Sequence, residues 1–135
     1  MSDNVMTRER ADVGSYEDIV AAAVRTVGMD DFGGTAHEEG LRVLVEDLNS
    51  PEAGLTGRGN YFQRSEVKSA LVGRLLTQAQ FNALPQHRDV PVERPIFVMG
   101  LPRTGTTALH RLLAADPAHQ GLEMWLTQYP QPRPP

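Results

Sequence analysis

The residues best suited to chemistry lie in the segment Gly100-Leu-Pro-Arg-Thr-Gly-Thr-Thr107, between a short apolar run and a helical pattern. A strand that turns through glycines into a helix exposes main-chain N–H groups, and the helix dipole adds roughly half a positive charge there. Gly100 and Gly105 have the separation of the two glycines in the phosphate-binding pattern G-x-x-x-x-G-K-[ST]. The segment therefore predicts an anion-binding loop that suits a phosphate group.

The cation of this loop does not stand where the nucleotide-hydrolase pattern places it. Thr106 occupies the lysine position, and its hydroxyl cannot neutralise a γ-phosphate. The positive charge lies inside the loop, on Arg103. Because the missing lysine would cost an NTPase a contact of about 1.5–3 kcal/mol, the pattern favours a donor whose transferable group lies beside Arg103. A divergent P-loop kinase or NTPase is the alternative.

The charge distribution also places an anion site in the second half of the chain. Residues 1–53 carry four basic and twelve acidic residues, a balance of −8, whereas residues 54–135 carry nine basic and five acidic residues, a balance of +4. The net charge of −4 argues against nucleic acid as a partner, because duplex-coating proteins need a surplus of Lys and Arg.

Composition excludes several other classes. The chain has no cysteine, so thiolate catalysis and Cys-ligated metals are excluded, and its four histidines lack the spacing of a metal site. No apolar run reaches the ~18–20 residues of a transmembrane segment, and the acidic N-terminus does not resemble a secretory signal. We therefore expect a cytoplasmic protein.

The apolar spacing and the capping residues ahead of the loop predict three helices that must hold it in place. The first is expected from Tyr16 to Val27, with Ser15 as its cap and Gly28 as its stop. The second follows a capping box of Thr35 with Glu38. The third is expected from about Tyr61 to Phe81, after a loop at 54–59, with Pro85 beyond its end.

The apolar run Ile96-Phe97-Val98-Met99 predicts one clear strand, buried on both faces as in a parallel sheet. A helix is expected from about Thr106 to Ala115, and an extended proline-rich tail from Tyr129 to Pro135. Since about three strands are needed for an independently stable sheet, we expect this chain to be the front portion of a larger α/β domain that continues beyond Pro135.

The segment from Pro95 to His110 resembles the 5′-phosphosulfate loop of sulfotransferases that use 3′-phosphoadenosine 5′-phosphosulfate (PAPS), with the signature Pro-(Lys/Arg)-(Ser/Thr)-Gly-Thr-Thr. The wider match, which includes Leu-Leu-Ala-Ala-Asp-Pro117 and Trp125, is most similar to large bacterial, especially actinobacterial, members. The resemblance implies a P-loop-like α/β sulfotransferase fold, here an N-terminal fragment that is mostly helical. The polar, irregular residues 1–14 predict a flexible N-terminus. The resemblance implies a helical region at 15–90 and an incomplete sulfotransferase domain at 91–135.

The resemblance also implies the roles of individual residues. The amides of Arg103, Thr104, Gly105, Thr106 and Thr107 would hold the 5′-phosphate, and Arg103 would stabilise charge on the bridging oxygen as the S–O bond breaks. In the tyrosyl-protein branch of the family the base is a glutamate about twenty residues after the loop cation, which corresponds to Glu123, with His110 as a rival.

No metal is expected, because sulfuryl transfer needs no Mg²⁺ to bridge phosphates. The expected activity is transfer of a sulfuryl group from PAPS to a hydroxyl acceptor, with lipids, glycans, phenols and peptide tyrosines all open. In the family, the 3′-phosphate is held by an Arg and a Ser further along the chain. A non-catalytic helical module or a truncated product is therefore the remaining alternative, and we expect no turnover from these 135 residues alone.

Overall fold

A long helix is the central element of the structure, a computed structural model that describes residues 8–128. The helices are α1 (Tyr16–Val27), α2 (Glu38–Leu48), α3 (Gly57–Ala83), α4 (Thr106–Ala114) and α5 (Met124–Gln128). Short 3-10 helices cover Pro51–Ala53 and Pro85–Asp89. The division at residues 14 and 90 stays a prediction, and the expected proline-rich tail at 129–135 lies outside the described residues.

The structure confirms the predicted bounds and caps of α1. The Ser15 hydroxyl accepts a hydrogen bond from the Asp18 N–H at 3.1 Å, and the Asp18 carboxylate accepts one from the Ser15 N–H at 3.4 Å. At the other end Gly28 has a φ of 70°, a left-handed conformation that glycine adopts without strain, and its N–H donates to the Val24 carbonyl.

The predicted starts of α2 and α3 are wrong. The carbonyl of Thr35 accepts from the Glu38 N–H at 2.9 Å, so Thr35 closes a turn ahead of the helix and His37 occupies the cap position without a side-chain bond. Helix α3 begins at Gly57, inside the predicted loop, because the Thr56 hydroxyl accepts from the Gly59 N–H at 3.1 Å. A good cap therefore outweighs the low helix propensity of two glycines.

The core lies where α1 packs on α3, with α2 closing one side. Ile19 and Leu75 are the largest fully buried side chains of the described part of the chain. Burial of such aliphatic side chains is worth about 1.5–3 kcal/mol each. The remaining buried hydrophobic residues are Val13, Ala23, Val45, Val67 and Leu71.

Part of the segment predicted as a flexible N-terminus is instead anchored on these helices. Val13 is fully buried, and its N–H donates to the Asn49 side chain at 2.9 Å. The buried Asn60 amide donates to the carbonyls of Arg10 and Ala11, and Arg64 donates to the Val13 carbonyl at 2.8 Å. These bonds satisfy backbone groups that a loose segment would leave to water.

The strand predicted at Ile96–Met99 is not formed, and no strand occurs within residues 8–128. Phe97 is 80% exposed and Met99 is 89% exposed. A strand needs a neighbour to pair with its N–H and C=O groups, and no described segment supplies one. The described residues therefore position the loop by its own turn and by α4, not by a sheet. No helix of this part of the chain is both long and apolar enough to cross a bilayer.

Candidate functional site

The predicted anion-binding loop runs directly into the N-terminus of α4. Gly105 takes the cap position with a φ of 90°, and its carbonyl accepts the Leu109 N–H at 3.0 Å. No side chain of the described residues caps the first turn of α4. The first-turn amides and the positive end of the helix dipole are thus left available to an anion. The predicted helix start at Thr106 is confirmed.

Gly100 and Thr104 set the width of the loop. The Thr104 hydroxyl donates to the Leu101 carbonyl at 2.6 Å, closing a tight turn. A Cβ on Gly100 would lie 2.8 Å from Thr104 Oγ1 and 2.9 Å from Thr106 Cγ2, closer than atoms pack. A glycine is therefore needed at position 100 so that the side chains of Thr104 and Thr106 can lie close to the backbone there. The Thr104 hydroxyl is used for the hydrogen bond to Leu101 inside the loop. Sequence reasoning assigned Thr104 to ligand binding and did not find this internal bond, which a Ser or Thr three residues after a turn carbonyl signals.

Arg103 lies at the outer turn of the loop in a left-handed conformation, with a φ of 66°. Non-glycine residues adopt positive φ uncommonly, and such strain concentrates at functional turns. The Arg103 guanidinium makes no hydrogen bond or ion pair with any residue between 8 and 128. A positive charge therefore stands beside the uncapped helix terminus without a protein partner.

Glu123, the predicted base, lies on a different segment, immediately before α5. Its Oε2 accepts a hydrogen bond from Trp125 Nε1, and its carbonyl accepts the Leu126 N–H at 3.0 Å. Its second carboxylate oxygen has no protein partner among the described residues. Within residues 8–128 no hydrogen bond or ion pair joins Glu123 to Arg103, whereas residues 103–107 are contiguous in the loop and the first turn of α4.

His110, the rival base, faces the segment that precedes Glu123. Its Cε1 lies 3.7 Å from the point that a Cβ on Gly121 would occupy, on the side of α4 that also carries Ala114. The His119 Nδ1 is 3.6 Å from the Asp116 carboxylate, and His87 stacks on Phe81 at 4.5 Å. No group of three or more potential metal ligands occurs in the described part of the chain.

The segment that contains the loop is similar to known proteins. Residues 95–134, which include the loop, match the model of the sulfotransferase family. The crystal structure of sulfotransferase STF1 from Mycobacterium tuberculosis H37Rv is 54% identical, with a TM-score of 0.87 over 93% of this chain and 35% of that one. Sulfotransferase STF9 from Mycobacterium avium is 34% identical, with a TM-score of 0.78 over 86% of this chain and 29% of that one. Among curated proteins, none matches this chain.

The chain is similar to sulfotransferases, through the family match at residues 95–134 and through the two solved structures. It has the fold of the corresponding part of the two mycobacterial sulfotransferases, so the resemblance noted in the sequence is confirmed. The chain spans about a third of the length of the two solved relatives. The loop lies within the 40 residues that match the family model, whereas the helices α1 to α3 are matched by the solved structures alone.

Proposed function

We propose that this chain supplies the 5′-phosphosulfate-binding loop of a sulfotransferase that moves a sulfuryl group from PAPS to a hydroxyl acceptor. The observation that carries the proposal is Arg103, which has no side-chain partner among residues 8–128, beside the uncapped N-terminus of α4 and inside the segment that matches the family model. The family uses PAPS as its usual donor, and a cytoplasmic location stays a prediction from the sequence.

The donor groups of the loop fit a phosphate. The amides from Arg103 to Thr107 would converge on the 5′-phosphate oxygens, and the hydroxyls of Thr106 and Thr107 would add two donors. Thr104 is expected to contribute its amide only, because its hydroxyl already donates to Leu101. Because the Thr104 hydroxyl holds the turn while the amides bind the ligand, the turn stays rigid, and the entropy cost of ordering the loop on binding is reduced.

Transfer then needs charge stabilisation and a proton acceptor. The acceptor oxygen forms a bond to sulfur while the bond from sulfur to the phosphate bridging oxygen breaks, and the acceptor hydroxyl loses its proton. Arg103 would stabilise the negative charge that develops on the bridging oxygen. Glu123 would accept the proton through the carboxylate oxygen that Trp125 does not bind. The Trp125 bond would fix the orientation of that carboxylate.

Isothermal titration of the full-length protein with 3′-phosphoadenosine 5′-phosphate and, separately, with ATP and Mg²⁺ tests the donor. We expect binding of the adenosine bisphosphate and a weaker response to ATP with Mg²⁺. Preference for ATP with Mg²⁺ would instead support a kinase or NTPase.

The role of Arg103 has its own test. Arg103→Ala should lower kcat about 10²- to 10³-fold, as loss of other transition-state donors does. Arg111→Ala is the matched control, because it removes the same charge from the last turn of α4, away from the loop. Equal loss of kcat in both variants would contradict the assigned role.

A further inference from the structure

Two neighbouring cavities lie along α3, outside the loop site. One, of about 780 Å³, lies between α3, the connection from α1 to α2, and α5. The other, of about 540 Å³, lies between α2 and α3. They share the lining residues Glu66, Ala70 and Arg74, and we name the pair the α3 groove. Each cavity has the size of a small-molecule site.

The smaller cavity is the apolar end of the α3 groove. Leu41 and Leu44 of α2 face Val67 and Leu71 of α3 across it. Leu44 is 46% exposed although α2 packs on the core, so this end leaves apolar surface uncovered. An aliphatic chain placed there would be transferred from water to an apolar wall, which is favourable in proportion to its length.

Arg74 is a cation at the junction of the two cavities. Its Nε donates to the Phe32 carbonyl at 2.7 Å, which holds the partly buried guanidinium in place. Its terminal nitrogens donate to no acceptor within residues 8–128, and it forms no ion pair with Glu66, two helical turns away. A fixed guanidinium with free donors in a cavity is suited to a carboxylate or another oxyanion.

The wall next to Arg74 is preorganised. Gly33 has a φ of 69°, and a Cβ there would overlap the Gln78 side chain, so the connection between α1 and α2 lies directly on α3. The Asp31 carboxylate accepts from the Gly33 N–H and from the Asn82 amide, both at 2.9 Å. Binding in the α3 groove therefore requires little ordering of the loop that closes it.

We propose that the α3 groove binds an amphipathic anion, with its oxyanion on Arg74 and its apolar chain between α2 and α3. The larger cavity extends to Thr127 of α5, one turn beyond Glu123, so a hydroxyl of the same ligand would lie near the proposed base. The ligand is then the sulfuryl acceptor, an assignment that rests on the proposed function. Binding of the anion itself does not depend on it.

Titration calorimetry of the full-length protein with octanoate and with 1-octanol tests the groove. We expect octanoate to bind at least about tenfold more tightly, because charged hydrogen bonds contribute that much. Decanoate should gain roughly fourfold per added methylene. Arg74→Gln should reduce octanoate to the affinity of 1-octanol, Arg74→Lys should retain part of the difference, and Leu44→Gln should weaken the dependence on chain length. Thermal unfolding monitored by circular dichroism checks that each variant is folded.

Arg25→Gln, on α1 and away from the α3 groove, is the control for net charge and should leave octanoate binding unchanged. Equal binding of octanoate and 1-octanol, equal losses in Arg25→Gln and Arg74→Gln, or no binding of octanoate would each overturn the proposal. Titration of the same samples with 3′-phosphoadenosine 5′-phosphate separates the two sites. If the protein binds octanoate but not 3′-phosphoadenosine 5′-phosphate, the proposed function is overturned and the proposal for the α3 groove stands.

Discussion

Gly100→Ala is the substitution that most directly probes the loop. The new methyl group would lie 2.8 Å from Thr104 Oγ1 and 2.9 Å from Thr106 Cγ2, so both side chains would have to move. Such overpacking costs about 1–3 kcal/mol, and loss of the bond from Thr104 to Leu101 about 0.5–1.5 kcal/mol more. If the ligand needs the native turn, a total of about 1.5–4.5 kcal/mol lowers affinity about 10- to 1,600-fold.

The assay is calorimetric titration of the full-length protein with 3′-phosphoadenosine 5′-phosphate, alongside urea unfolding. Because the loop is exposed and lies outside the core, the free energy of unfolding should change far less than the affinity. Gly40→Ala is the matched control, since a Cβ on Gly40 in α2 meets nothing within 4 Å. That control should stabilise the protein by about 0.5–1 kcal/mol and leave affinity unchanged. Wild-type affinity in Gly100→Ala would refute the proposed cradle.

Three further outcomes are expected. Thr104→Val should weaken binding of 3′-phosphoadenosine 5′-phosphate in the same titration while Thr104→Ser retains it, because only the hydroxyl closes the turn; equal affinities would contradict this. Leu75→Ala should lower the free energy of urea unfolding by about 2–5 kcal/mol, since Leu75 is 1% exposed; a loss below 1 kcal/mol would count against its place in the core. The Asn82 amide, then the Gly33 N–H, lower the pKa of the Asp31 carboxyl in the folded protein. The ionised carboxylate therefore stabilises the fold at pH values above the unfolded pKa of about 3.9, and this stabilisation is lost as the pH falls below that value. Asn82→Ala should therefore reduce the fall of the unfolding midpoint as pH drops below about 5, and an unchanged slope would argue against the bond.

Local signals were sufficient for some elements. The bounds of α1 follow from its apolar spacing, from Ser15 with Asp18 at the start, and from Gly28 at the end. The start of α4 follows from the helical pattern after Gly105, because a glycine at the turn permits the positive φ that the structure has there. Each of these features depends on groups within one helical turn, so the linear pattern contains the information needed to predict it.

Other features required contacts between distant parts of the chain. Val13 joins the core where the Asn60 and Arg64 side chains of α3, and Asn49 at the end of α2, bind the backbone around it. The Ile96–Met99 run has the composition of a strand, yet strand formation depends on a neighbouring strand that the described residues do not provide. Pairing partners are set by topology, which residue types at one position do not specify.

The sequence by itself indicated the resemblance to sulfotransferases, predicted an anion-binding loop at residues 100–107 and fixed the position of its cation at Arg103. Those properties depend on residue type and short spacing, which a motif preserves. Tertiary structure alone decided that Val13 joins the core and that Arg74, whose terminal nitrogens have no acceptor within residues 8–128, stands between two cavities. The physical reason is that hydrogen-bond partners and cavities arise where segments meet, and such meetings depend on how the helices pack.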